Sequence, residues 1–265
     1  MATIEFSNVT RVFRQSDQNV VALEDINLLV EDQEFIAIVG PSGCGKTTCL
    51  RMAAGLDKPS SGRVLVDGQA VQGPGTDRAV VFQQFALFPW KTVWQNIEFG
   101  LISLGIPDIE RKKRIEQYIE LMGLQGYERA YPHQLSGGMQ QRVAIARAYV
   151  LDPKVLLMDE PFGALDAQTR VVMQEELVRL ARSHPRTVLF ITHAVDEAVY
   201  LADRIVVMSR RPGRIREIID VKSVREKELW NNLSRIEDVM DQSSFVHLRT
   251  HIWKLLREEQ GTDAH

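Results

Sequence analysis

The chain has 265 residues and a formal net charge of −3, from 32 Lys plus Arg against 35 Asp plus Glu, with a pI near 6.1. That length allows one large domain or two small ones with a sizeable core, and the near balance of charge argues against nucleic acid as the main partner. No charged-then-apolar leader opens the sequence and no run approaches the roughly 18 apolar residues of a membrane span, so a soluble or peripheral chain is expected, with any membrane part supplied by another chain.

In chain order, Ile4, Phe6, Val9, Val12 and Phe13 form one apolar segment, and Ile26, Leu28 and Val30 alternate cleanly, so residues 25–32 are expected as an antiparallel strand. Phe35–Val39 is a short apolar, β-branched run of the kind that makes a buried parallel strand. Gly40-Pro41-Ser42-Gly43-Cys44-Gly45-Lys46-Thr47-Thr48 follows it directly, and Lys46 to Ala54 reads as a helix closed by Gly55. A strand, a turn reading G-x-x-x-x-G-K-T and a helix are the phosphate-binding loop pattern in its confirming context. The glycines let backbone N–H groups turn inward around phosphate oxygens, and the helix N-terminus adds its positive end. Lys46 would reach the β- and γ-phosphates of a nucleoside triphosphate, and the Thr47 hydroxyl would hold Mg²⁺. Cys44 and Cys49 lie on this loop and its helix, are not placed to pair, and suggest a reducing compartment.

Residues 63–71 predict a hairpin turning at Asp67-Gly68, and Arg78–Phe82 a strand that ends at Gln83-Gln84. From Val93 to Val150 the period becomes helical. Ile115, Ile119 and Met122 share one side of a helix, with Arg111, Lys112, Glu116 and Glu120 on the other. Pro132 and Ser136-Gly137-Gly138 interrupt, and a new helix is expected over 139–150. Val155–Met158, Val188–Ile191 and Ile205–Met208 read as buried strands, and Asp166 as the cap of a helix through Ala181. Strands alternating with helices predict an α/β fold with a largely parallel sheet. After Val221, Leu229, Leu233, Ile236 and Met240 fall at helical spacing, as do Phe245, Leu248, Ile252 and Leu255. Two amphipathic helices are expected there. Their polar faces mix acids and bases, which favours packing on the main domain over a membrane surface.

Asp159-Glu160 follows a buried strand, so both carboxylates are expected at the C-terminal edge of the sheet beside the phosphate loop. Asp159 can hold Mg²⁺ through water, and Glu160 can reach a water in line with the γ-phosphate. His193 ends another strand at that edge, where its imidazole could donate to the γ-phosphate; Gln83 ends a third, with Gln84 as the alternative, where an amide can touch Mg²⁺ and orient water. Leu135-Ser136-Gly137-Gly138-Met139-Gln140-Gln141-Arg142 is a second glycine-rich helix start and a second anion cradle, or simply a helix cap. One nucleotide needs only one cradle, so the second makes sense if it serves a nucleotide bound elsewhere.

With these motifs in place, residues 4–221 resemble the ATP-binding subunit of an ABC (ATP-binding cassette) transporter. The most specific match is the Leu135–Arg142 signature, which departs only at Met139, where glutamine is frequent. The resemblance implies an ABC cassette over 1–221, with a parallel sheet core, an N-terminal antiparallel β subdomain and an inserted helical subdomain at about 86–150; residues 222–265 would form a C-terminal helical extension. It further implies ATP and Mg²⁺ as ligands, with Thr47, Gln83 and Asp159 toward the metal, Lys46, Gln83, Glu160 and His193 in catalysis, and an aromatic near Phe13 on the adenine. Two copies would pair head to tail, each ATP lying between one phosphate loop and the partner's signature.

Gly73–Arg78, Leu87–Trp90, Arg211–Ile215 and the tail Ser243–Glu258 resemble the nitrate/sulfonate/taurine group of bacterial importers. That implies membrane permease subunits as partners, an indirect periplasmic or lipid-anchored solute-binding protein, and a place on the cytoplasmic face of the inner membrane. The alternative is a soluble ABC ATPase outside transport. The short stretch between Gln83 and Leu135 leaves no room for the long coiled-coil insertion of repair members, and one cassette argues against translation members.

Overall fold

The alternating apolar residues at the start of the chain build an antiparallel layer. β1 (Ile4–Gln15) pairs with β2 (Gln18–Val30), with Ile4 opposite Val30 and Phe6 opposite Leu28, all four buried. β3 (Phe35–Val39) is buried at every position and leads through the glycine-rich loop into α1 (Lys46–Ala53). β4 (Ser61–Val66) and β5 (Gln69–Ala70) form the expected hairpin, with Asp67 and Gly68 both at positive φ as a two-residue turn requires. β4 joins β1, giving the order β2-β1-β4-β5.

The computed structural model describes residues 2–15, 18–233 and 235–260, divided between two units: Met1–Gly75 with Pro185–His265, and Thr76–His184. The second unit opens with β6 (Arg78–Val81), followed by α2 (Val93–Ser103) and α3 (Asp108–Leu121). A 3₁₀ turn over Pro132–Gln134 leads into α4 (Gly137–Tyr149), and the unit closes with β7 (Val155–Asp159) and α5 (Ala167–Ser183). β6 and β7 run parallel, with Val81 opposite Met158. α3 buries Ile115 and Ile119 as the spacing predicts, but Arg111 is not simply solvated: its guanidinium donates to Glu98 on α2 and to the Ile106 carbonyl. α4 begins before the expected Met139. Ser136 has an extended backbone and its Oγ accepts from Met139 N, so Gly137 and Gly138 already belong to the first turn.

The chain then returns to the first unit as β8 (Thr187–Ile191), α6 (Val195–Leu201), β9 (Arg204–Met208) and β10 (Ile215–Asp220). Within this unit the strand order is β10-β9-β3-β8; β3 is parallel to both neighbours and β10 antiparallel to β9. β10 and the seven-residue α6 carry no clean periodicity and were not expected. The C-terminal region holds α7 (Lys222–Lys227), α8 (Ile236–Met240) and α9 (Ser243–Gln260). The first amphipathic helix expected there is broken. Leu229 sits at φ 53 and is 62 % exposed, and Trp230 is buried in its place, 5.8 Å from the Phe245 ring. Burying the indole takes the chain out of helical geometry. α9 follows its spacing, burying Phe245, Ile252 and Leu255, and with α8 it packs on α6. Among the described residues no helix is long and apolar enough to cross a membrane.

Candidate functional site

In the first unit, the parallel register sets which residues emerge together. Ile38 lies opposite Ile191, and Thr192 N donates to the Ile38 carbonyl at 3.3 Å, so Gly40 and His193 leave the sheet at the same C-terminal edge. The Gly40–Thr48 loop closes onto α1 through Gly45, which caps the helix at φ 99; a Cβ there would overlap the Leu23 side chain. Lys46 is buried, and its Nζ donates to the carbonyls of Gly40 at 2.8 Å and Pro41 at 3.0 Å. These neutral acceptors solvate the ammonium without cancelling its charge, which leaves a cation at the helix N-terminus where an anion binds. Ser42, Gly43 and Thr47 are exposed on the loop, and Pro41 and Thr48 half-buried. Cys44 and Cys49 are free and buried, as their spacing suggested. Burial pushes the Cys44 thiol up against the pull of Lys46, and complete burial pushes Cys49 up to about 12.

His193 is exposed on a tight turn. Thr192 Oγ1 donates to the buried Glu197 carboxylate at 2.6 Å and accepts from Ala194 N at 3.0 Å, which fixes the turn between β8 and α6. Phe13 stands on β1, 37 % exposed and outside the core, with the Arg11 guanidinium 4.5 Å from its ring centroid.

In the second unit, Val81 opposite Met158 places Gln83 and Glu160 at the same end of the parallel pair. The structure brings these two together: Gln83 Nε2 donates to Glu160 Oε2 at 2.9 Å. Glu160 holds φ 46, so a left-handed backbone aims its carboxylate toward the amide. Asp159 is half-buried at the end of β7, and Gln84 is exposed beside Gln83. Gln83, Gln84, Phe85, Gly163 and Ala164 line a shallow cleft. Ser136 caps α4, leaving Gly137 exposed and Gly138 buried. An ion pair between Arg142 and Glu176 at 2.6 Å ties α4 to α5, and Asp166 caps α5 through Thr169, whose backbone and hydroxyl hydrogen bonds hold its carboxyl low.

The loop around Lys46 is chemically suited to a polyphosphate, Ser136–Gly138 to a second anion, and the Gln83-held carboxylate to orienting a water. Thr47, Gln83 and Asp159 offer hard oxygen donors, the type that suits Mg²⁺ rather than a softer ion. Two residues that shape this unit, Asn96 and Arg147, were not singled out from sequence. The available signal was an arginine inside the apolar run Val143–Val150.

The model of the ABC transporter family matches residues 23–163. The chain is 54 % identical over 256 residues to an uncharacterized ABC transporter ATP-binding protein of Methanocaldococcus jannaschii, covering 97 % of this chain and 92 % of that protein. It is 46 % identical over 263 residues to the nitrate import ATP-binding protein NrtD of a Synechocystis species, covering 98 % of each. Among solved structures, a dimeric ATP-binding cassette in a post-hydrolysis state, bound to ADP and Pi, superposes with a TM-score of 0.73 at 33 % identity, over 82 % of this chain and 98 % of that one.

Proposed function

This chain belongs to the ABC transporter family as an ATP-binding subunit with ATPase activity, and from that premise we propose that it drives uptake of a small anionic solute, of the nitrate or organic sulfonate type, through a separate membrane permease. The observation that supports the importer reading best is the similarity to a nitrate import subunit over nearly the whole of both chains. Two copies pair head to tail at the inner face of the membrane, and a solute-binding protein outside delivers the cargo.

In this proposal Gly40–Thr48 holds the ATP phosphates, with the Lys46 charge turned from its own carbonyls to the nucleotide, and Phe13 stacks on the adenine. Glu160, held by Gln83, orients the attacking water and accepts its proton. His193 donates to the γ-phosphate, and Ser136–Gly138 binds the nucleotide of the partner copy. Thr47, Gln83 and Asp159 would hold Mg²⁺, which neutralises phosphate charge when bound. The exposed aromatic strip after Gln83 receives a short helix of the permease. Phe88 lies 4.6 Å from Phe99 and 5.8 Å from Trp90, and Trp90 is 71 % exposed.

The test is co-expression with candidate membrane permeases from the same genome, purification through this chain, and reconstitution into proteoliposomes. Co-purification of the permease and ATP-dependent uptake of nitrate or a sulfonate are expected. A chain that hydrolyses ATP but retains no membrane protein would support the soluble, non-transport alternative instead.

A further inference from the structure

Arg147 reaches from the last turn of α4 to the loop that follows Gln83. Its Nη1 donates to the Ala86 carbonyl at 2.8 Å, its Nη2 to the Phe85 carbonyl at 3.2 Å, and its guanidinium carbon lies 5.7 Å from the Phe88 ring centroid. At the other end of α4 the same loop comes close again: a Cβ on Gly137 would lie 3.9 Å from Cζ of Phe85. One loop therefore meets the signature helix at its first turn and at its last, and the residue that begins that loop holds Glu160.

A half-buried guanidinium is a costly way to fill space. Among the described residues Arg147 makes no ion pair, and burial pushes its pKa down from the ordinary arginine value. An apolar side chain would pack there at lower cost, so the position is explained by the two-pronged fork rather than by volume or charge balance. One of its acceptors belongs to Ala86, at φ 48, a conformation that alanine avoids unless its surroundings enforce it. Asn96 on α2 clamps the next stretch, its Oδ1 accepting from Phe88 N at 2.9 Å and its Nδ2 donating to the Phe88 carbonyl at 3.3 Å. The loop is thus held from two helices, and Gln83 is the end that bears on the carboxylate.

We propose that Arg147 is a positioning residue of the ATPase site, coupling the signature helix to the Gln83–Glu160 pair so that an anion at the Ser136 turn sets the geometry of the carboxylate. This rests on the function proposed above. Arg147 touches neither nucleotide nor attacking water, and it acts through Gln83.

Steady-state ATP hydrolysis by the full chain tests this with Arg147→Lys, Arg147→Met, Gln83→Ala and the Arg147→Lys/Gln83→Ala double variant. Lysine keeps the charge but loses the fork. The expected result is a kcat about tenfold lower in Arg147→Lys, with the KM for ATP within about twofold and the melting temperature unchanged. The double variant is expected to be no slower than Gln83→Ala alone, because one change acts through the other. An Arg147→Lys variant with wild-type kcat, a loss confined to KM, or losses that multiply in the double variant would each overturn the inference. If Arg147→Met does not fold, Arg147→Lys carries the test. If neither folds, the residue is structural and the inference fails. A wild-type chain without ATPase activity would overturn the function itself, whereas active wild type with unaffected Arg147→Lys overturns only this inference.

Discussion

Gln83 and Glu160, each just past the end of a different strand, meet at 2.9 Å through an amide that donates to a carboxylate. A donor in that position fixes the direction of the carboxylate lone pairs, which is what a base for water needs. Glu160→Gln should leave ATP affinity within a fewfold of wild type while lowering turnover by about 10²–10⁴. Equilibrium binding alongside steady-state hydrolysis measures both. Near-normal turnover in the variant would remove Glu160 from the role.

In the proposed function the Ser136 turn, which caps α4, serves as a second phosphate cradle separate in sequence from the Gly40–Thr48 loop. Mixing Lys46→Ala chains with Ser136→Arg chains should produce heterodimers with one intact composite site and recovered activity, whereas each variant alone stays inactive. With heterodimers shown to form, no recovery would mean that each site is built within one chain.

Trp90 contributes little to its own fold at 71 % exposure. Trp90→Ala should therefore leave folding and ATP binding of the isolated chain intact while weakening permease capture and transport in the reconstituted complex. Phe88→Ala is a harsher version, since Phe88 also packs on Phe99. Transport at the wild-type rate in Trp90→Ala would assign the strip a role other than docking.

Gly213 closes a backbone stack against the phosphate loop. Its N–H donates to the Ala22 carbonyl and its carbonyl accepts from Glu24 N, each at 3.0 Å, and a Cβ would overlap the Cys44 carbonyl. Gly213→Ala must push the phosphate loop or part from β2, at a cost of about 1–3 kcal/mol. Thermal melts should show the destabilisation and ATP titrations a raised Kd. Neither effect would appear if the 209–214 loop can yield freely.

Cys49 ties stability to alkaline pH. Its thiol is pushed from 9.0 up to about 12 by burial, so the folded state holds the proton more tightly than the unfolded state. The stabilisation is fully present below pH 9 and is lost as pH rises from there toward 12. Urea midpoints should fall more steeply above pH 9 in wild type than in Cys49→Ala, and iodoacetamide at pH 8 should label Cys49 only after denaturation. Rapid labelling of the native chain would contradict the burial.

By itself the sequence determined the local chemistry, because phosphate-loop and signature motifs are short and their spacing is set by covalent geometry. Phe35–Val39, Lys46–Ala53 and the Asp166 cap could be read from apolar runs and cap residues alone. Only the tertiary structure decided that Gln83 rather than Gln84 holds Glu160, since that follows from the pairing of two strands far apart in sequence. It likewise decided that Leu229 leaves the helix so that Trp230 can be buried, where packing overrode a helical period. Arg147 shows the same limit from the other side. Its fork matters because Phe85 and Ala86 present carbonyls to it, and carbonyl direction is a property of backbone path, not of residue type.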